Sequence, residues 1–414
     1  MRKHIIKWVR VSYERTINSI AFLPAIIALI FLLLSFGMVL FDFSAPGKQI
    51  KSQMHWLSLK DATTARSIIS AIAGGIISLT VFSFSLVMII LTQAASQMSN
   101  RILDKLIGNR FQQIVLGFYV GTIVYALFLL STIRDIESGV YVPALSTYLL
   151  IVLTVFDIFL FIYFLHYITQ SVKYETIIYR IFKETKKGME ESCTLSNQDE
   201  VIEPKPGITV AAGNTGLFQK FQREILIRLC AEHDIVISFL YPVGSYLLKG
   251  TPYLIVSGVK EVSNDLKEDL NVLVSIEKGK PIENSYYYGF RQLMEVAVKA
   301  LSPGINDPGT AVVSMQVLAD LMAYRMAHFP KNNFIDSNGK VRIITREKTF
   351  DEIFASAMFP IWDYGENDRL VQTELHSILI QLRLHGKYKI VEELLESVVN
   401  AINNKQSTAT SGNL

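Results

Sequence analysis

Long uncharged runs crowd the chain before Ser171, and beyond them hydrophobic and polar positions are mixed as in a globular domain. Four runs reach the ~20 apolar residues that a hydrocarbon core of about 30 Å demands of a helix. They are Ile20 to Leu40, Ile68 to Leu91, Phe111 to Ile133 and Ala144 to Ile168, and the first three contain no charge. The pattern predicts an α-helical membrane protein with four transmembrane helices across residues 20–170, followed by an α+β cytoplasmic domain. The first run is too long, and starts too far along the chain, for a signal-peptide core, so it is expected to be a retained span. Residues 171–206 read as a connecting amphipathic helix, Val172 to Glu191, and a polar linker, Ser192 to Pro206, with two prolines.

In the domain expected over residues 207–403, β-rich runs alternate with turn chemistry before a helical remainder. Strands are predicted near Ile208 to Ala212, Ile235 to Leu240, Tyr253 to Val256, Val272 to Ile276 and Val341 to Ile344. Helices are predicted over Phe218 to Ala231, Tyr286 to Leu301, Pro308 to His328, Thr349 to Trp362, Asp368 to Leu384 and Tyr388 to Ile402. The Ser-, Thr- and Asn-rich tail, residues 404–414, reads as disordered. Residues 1–19 set Ile5, Trp8 and Val9 among Arg2, Lys3, Lys7 and Arg10, which suits an interfacial segment or a charged tail.

Charge adds an orientation. Arg2, Lys3, Lys7, Arg10 and Arg15, then Arg101, Lys105 and Arg110, then Lys173, Arg180, Lys183, Lys186 and Lys187 collect on one side of the four spans. Only Lys48, Lys51, Lys60, Arg66 and Arg134 fall on the other, so the positive-inside rule expects both termini in the cytoplasm. A formal charge of +3 and no basic stretch interleaved with aromatics speak against nucleic acid as a partner. Cys193 and Cys230 stand at no metal or redox spacing, and His376, His385 and Glu374 match no usual metal site. The chain contains no GxxxxGK[ST], HExxH, GxSxG or GxGxxG, so no catalytic residues, metal or cofactor are expected.

Two features inside the spans carry candidate chemistry. At about 100° per residue, Ser67, Gly74, Ser78, Ser85, Thr92 and Ser96 fall in one narrow sector of the second span, with Ala71 beside them and Phe82 and Ile89 intruding. That semi-polar stripe suits either a pore lining in an oligomer or close helix packing through Gly74 and Ser78. Asp157 lies near the middle of the fourth span, where an ionised carboxylate costs roughly 2.5–3.5 kcal/mol on insertion scales. It reads as a cation or proton site, or as an acid hydrogen-bonded to Ser or Thr of another helix. In the cytoplasmic part, Leu301 to Thr310 forms a stop and restart. Pro303 and Gly304 end one helix, Asp307 caps the next and Pro308 enters its first turn. Ser302, Gly304, Asn306 and Asp307 are therefore structural, or part of a ligand-binding loop.

Arg66 to Gly74 (RSIISAIAG), Val81 to Arg101 (VFSFSLVMIILTQAASQMSNR), Phe161 to Ile168 (FIYFLHYI), Tyr241 to Pro252 (YPVGSYLLKGTP) and above all Ala300 to Ala311 (ALSPGINDPGTA) resemble a bacterial family of predicted membrane proteins with a domain of unknown function. The likeness covers nearly all of the chain and implies a bacterial membrane protein with no established reaction. That family often has an aromatic residue where Gly309 stands, an acidic turn where Ser245 stands and no acid at Asp157, so the resemblance implies no role for Asp157. The expected function is a homo-oligomeric channel or transport-related protein with a cytoplasmic regulatory domain. The alternative is a non-conducting sensor or scaffold that binds a cytoplasmic partner or ligand.

Overall fold

The computed structural model describes residues 19, 21–53, 61–97, 110–136, 139–171, 173–195, 204–278 and 285–411. The expected interfacial segment lies outside them except for Ser19, as does most of the linker after Leu195. Two compact units are present, with the chain passing from the first to the second between Lys173 and Tyr174.

The first unit contains α1 (Phe22–Phe43), α2 (Ala45–Gln53), α3 (Ala62–Gln97), α4 (Arg110–Thr132), a hairpin of β1 (Arg134–Ile136) and β2 (Gly139–Tyr141), and α5 (Ala144–Ser171). Four of these helices are long and apolar enough to cross a bilayer, over Phe22–Phe43, Ala62–Ile90, Arg110–Thr132 and Ala144–Gln170. The third span packs closely on the first because Gly117 and Gly121 stand one turn apart. A Cβ on Gly121 would sit 2.7 Å from the Phe31 ring, and one on Gly117 would sit 2.5 Å from Ile27 Cδ1. Phe31 meets Phe118 edge to face at 5.6 Å. The second span contributes Ala62, Ala65, Ile69 and Ala73 to the same core, spaced to keep one helical face against its neighbours.

Asp42, at the end of the first span, is fully buried and caps the fourth. Its carboxylate accepts from Ser146 N–H at 2.8 Å, Leu145 N–H at 3.3 Å and the Ser146 hydroxyl at 2.7 Å. Lys51 Nζ closes the cluster at 3.0 Å. A helix N-terminus leaves N–H groups without intrahelical partners and favours negative charge, so one carboxylate satisfies both needs.

The second unit opens with α6 (Tyr174–Ser192) and β3 (Cys193–Thr194), then β4 (Ile208–Ala211), β5 (Gly216–Phe221), α7 (Arg223–Glu232), β6 (Val236–Phe239), β7 (Tyr246–Leu247), β8 (Pro252–Ser257), α8 (Asn264–Leu273) and β9 (Val274–Glu277). It continues through α9 (Tyr286–Leu301), α10 (Pro308–Ala327), β10 (Phe329–Pro330), β11 (Asn333–Ile335), β12 (Val341–Ile344), α11 (Phe350–Gly365), α12 (Arg369–His385) and α13 (Lys389–Ser411). A five-stranded sheet has the order β11-β12-β6-β8-β4, with β12 and β6 parallel and the other pairs antiparallel, and β7-β5-β9 forms a second sheet. One core holds both sheets with α7 and α8, including Leu226, Ile237, Leu254, Leu266 and the stacked rings of Phe218 and Phe239 at 5.2 Å. Thr349 and Glu352 form a reciprocal capping box at the start of α11, and Asp368 caps α12 through Leu370 and Val371 N–H.

The sequence predicts helix from Phe218, but Phe218 to Phe221 lie in β5, where Phe218 pairs with Ile276 and Phe221 with Val274. Pairing with a strand more than fifty residues onward is a non-local choice that overrides local propensity. Cys193 and Thr194, read as linker, pair with Pro330 and Phe329. The last helix, expected to stop at Ile402 before a disordered tail, runs on to Ser411.

Candidate functional site

The second span buries one face and exposes the other. Ser67, Gly74, Ser78, Ser85 and Thr92 all lie on the exposed side, away from the helix's own neighbours, while Ala65, Ile69, Ala73, Ile76 and Ser83 are buried. The side chain of Ser96 lies outside the described residues. Ser78 donates to Gly74 C=O at 2.9 Å and Thr92 to Met88 C=O at 2.8 Å, so each hydroxyl is satisfied one turn back along its own helix. A Cβ on Gly74 or Gly75 would meet nothing within 4 Å. Within one chain, the close approach of spans therefore belongs to Gly117 and Gly121, which the sequence reading passes over although GFYVG displays the spacing.

A different polar group forms inside the bundle. Ser83 on α3, Tyr119 and Thr122 on α4 and Asp157 on α5 are all buried, with Tyr119, Thr122 and Asp157 fully so. Thr122 stands beside Asp157, and Tyr119 stands beside Ser83 and within electrostatic reach of Asp157. None of Ser83 Oγ, Tyr119 Oη, Thr122 Oγ1 and the two Asp157 oxygens completes a hydrogen bond of standard geometry. Apolar walls surround them, with Ile76, Val115, Phe164 and Ile168 packed around Tyr119. Sequence reasoning finds Asp157 and misses the other three, since a hydroxyl in a membrane helix gives no sign of which helix it will face.

In the second unit, the loop from Ser302 to Asp307 turns the chain between α9 and α10. Asn306 adopts φ +50° and its N–H bonds to Ser302 C=O at 2.9 Å, while Asp307 N–H reaches Ala300 C=O at 2.8 Å. The Asp307 carboxylate accepts from Thr310 N–H at 3.1 Å and from the Thr310 hydroxyl at 2.6 Å, and Ser302 Oγ donates to Lys299 C=O at 2.6 Å. Gly304 is exposed, and a Cβ there would meet nothing within 4 Å. His376 is half-buried and His385 exposed, Glu374 accepts from Gln316 Nε2 at 2.9 Å, and no His, Cys, Asp or Glu cluster suited to a metal occurs among the described residues.

The same unit buries a polar chain that sequence reasoning does not flag. Lys348 N–H donates to the Tyr287 hydroxyl at 3.0 Å, which donates to Glu347 Oε2 at 2.7 Å. Arg325, fully buried at the end of α10, donates to His328 C=O and Lys348 C=O at 3.2 Å each. Burial pushes the Glu347 carboxyl above its ordinary range, against the opposing pull of Tyr287, Thr345 and Arg325. Burial likewise pushes the Cys230 thiol up to about 12, so it is held as an inert thiol.

Four apolar helices of spanning length followed by a unit of helices and sheets define an α-helical membrane protein. The chain belongs to the family described as predicted membrane protein (DUF2254), which it matches over residues 17–381. It is similar to the uncharacterized protein Rv1290c of Mycobacterium tuberculosis and the uncharacterized protein Mb1321c of Mycobacterium bovis. Each is 24% identical over 327 residues, covering 76% of this chain and 63% of the relative. The chain thus spans just under two thirds of the length of the curated relatives it matches. No solved structure matches it.

Proposed function

We propose that the protein is a homo-oligomeric, channel-like transport protein of the bacterial cell membrane, with its second span facing other copies of the chain. The observation that carries this reading is the uncovered run of small and hydroxyl-bearing residues Ser67, Gly74, Ser78, Ser85 and Thr92, interrupted by the exposed Phe82 and Ile89, on a helix whose opposite face makes the contacts within the chain. Lipid offers a hydroxyl nothing that a methyl group would not receive as well, whereas a second helix or a water-filled axis makes use of small size and spare lone pairs. Both termini and the second unit lie in the cytoplasm in this reading, supported by the concentration of Lys and Arg on that side of the spans. There the second unit regulates the membrane part, and the Ser302 to Asp307 loop serves as a rigid corner, because Asp307 spends its carboxylate on Thr310.

Purified protein in liposomes should pass ions down a gradient. Cysteines introduced at Ser78, Ser85 and Thr92 should react with water-soluble thiol reagents, against a low background because Cys193 and Cys230 are buried. Absence of flux together with uniform protection of the three cysteines would leave a non-conducting anchor whose second unit binds a partner or ligand.

A further inference from the structure

The bundle interior carries a feature that the stripe reading does not use. Ser83, Tyr119, Thr122 and Asp157 come from three spans, with Ser83 beside Tyr119 and Thr122 beside Asp157, each residue no more than 5% exposed and each side-chain oxygen short of a hydrogen bond of standard geometry. Asp157 is the central residue of the fourth span, Ala144–Gln170, about 20 Å of helix from either end. A group at that depth, enclosed by protein, has no bulk water to pair with, so its satisfaction must come from a partner inside the cluster. The groups acting on the carboxylate are neutral: Thr122 from the third span beside it and the Tyr119 phenol farther off. The acid of the first span, Asp42, is engaged at the N-terminal end of the fourth by Lys51, Leu145 and Ser146. His166 lies nine residues past Asp157 on the same helix, about 14 Å along its axis. No cationic side chain among the described residues therefore neutralises Asp157.

We propose that these four residues form a site for one exchangeable monovalent cation, Na⁺ or a proton. Asp157 supplies the charge, and the hydroxyl oxygens of Ser83, Tyr119 and Thr122 supply the surrounding contacts. The donor set consists only of oxygen, which suits a hard cation, and contains no sulfur or imidazole that would favour a transition metal. A single carboxylate balances a single positive charge, and a divalent ion would leave net charge buried in apolar surroundings. Binding here does not require that the protein conduct, so the absence of flux in liposomes would not bear on it.

The test is carbodiimide labelling of the full-length protein in detergent. Dicyclohexylcarbodiimide partitions into apolar surroundings and reacts with a protonated carboxyl, and modification of the peptide carrying Asp157 is read by mass spectrometry. With choline as the only salt cation, Asp157 should be modified, and its modification should fall as pH rises. Protection by added Na⁺ identifies Na⁺ as the occupant, and pH dependence with no Na⁺ protection identifies the proton. In the Na⁺ case, Thr122→Ala and Ser83→Ala should each raise the protecting concentration roughly tenfold, the change expected for one lost oxygen contact. In the proton case the same variants should shift the pH midpoint of labelling. Asp157→Asn, with its fold checked by melting, should abolish labelling of that peptide. Labelling of Asp157 that is absent at every pH, or that is indifferent to both pH and Na⁺, overturns the proposal.

Discussion

Asp42 is fully buried and Glu347 partly so, and the two acids stand in different surroundings. Asp42 accepts from two backbone N–H groups at the start of the fourth span, from the Ser146 hydroxyl and from Lys51, so its carboxylate holds two spans and a short helix in register. Asp42→Ala removes that cap and should lower the melting stability of the purified protein by about 1–2 kcal/mol. An unchanged melt would show that the cap is incidental. Glu347 accepts from the Tyr287 hydroxyl and is drawn down by Thr345 and Arg325 as well, yet burial dominates and raises its folded-state value above the ordinary 4.5. A carboxyl raised on folding binds its proton more tightly in the native state, so its contribution favours folding below the ordinary value and is lost as pH climbs through the raised one. The native protein should therefore lose stability relative to Glu347→Gln between acid and neutral pH. Parallel pH–melting curves for the two proteins would refute this.

At the scale of elements, the contact between the first and third spans depends on the absence of two side chains. Gly121→Leu would drive a branched side chain into the Phe31 ring, which already lies 2.7 Å from where a Cβ would stand. Overpacking of this kind typically costs about 1–3 kcal/mol, while Gly74→Leu on the open face should leave the melting of monomeric protein in detergent unchanged within about 0.5 kcal/mol. Equal losses for the two variants would mean that the third span is not the closely packed one. This comparison marks where sequence reading stops. Span existence is legible because twenty uncharged residues have few alternatives to lipid, and the capping of α10 by Asp307 is legible because helix ends are local chemistry. The partner of a small-residue face is not, because Gly74-Ser78 and Gly117-Gly121 share one spacing and only the packed bundle tells them apart. The same holds for β5, whose partners β7 and β9 are remote, and for Ser83, Tyr119 and Thr122, which meet Asp157 only through tertiary packing. In contrast, α8 carries a readable signature that the sequence analysis leaves unused, with Ser263 capping ahead of Leu266, Leu270 and Leu273 at helical spacing.

At the scale of the whole molecule, orientation decides which compartment the second unit can sense. Thirteen Lys and Arg residues flank the spans on the side proposed as cytoplasmic and five on the other, and basic residues near span ends resist translocation. The four spans among the described residues are an even number, so in this reading one assignment places both flanks of the bundle on the same side. A fluorescent protein that matures only in the cytoplasm, fused after Leu414, should therefore be bright, and alkaline phosphatase at the same position should be inactive. Fusion of the phosphatase between the first two spans, after Lys51, should restore its activity. The reverse pattern would invert the topology and move the second unit outside the cell, where it could not act as a cytoplasmic regulator. It would leave the Ser83, Tyr119, Thr122 and Asp157 cluster intact, because a site at the middle of the spans lies at the same depth from either face.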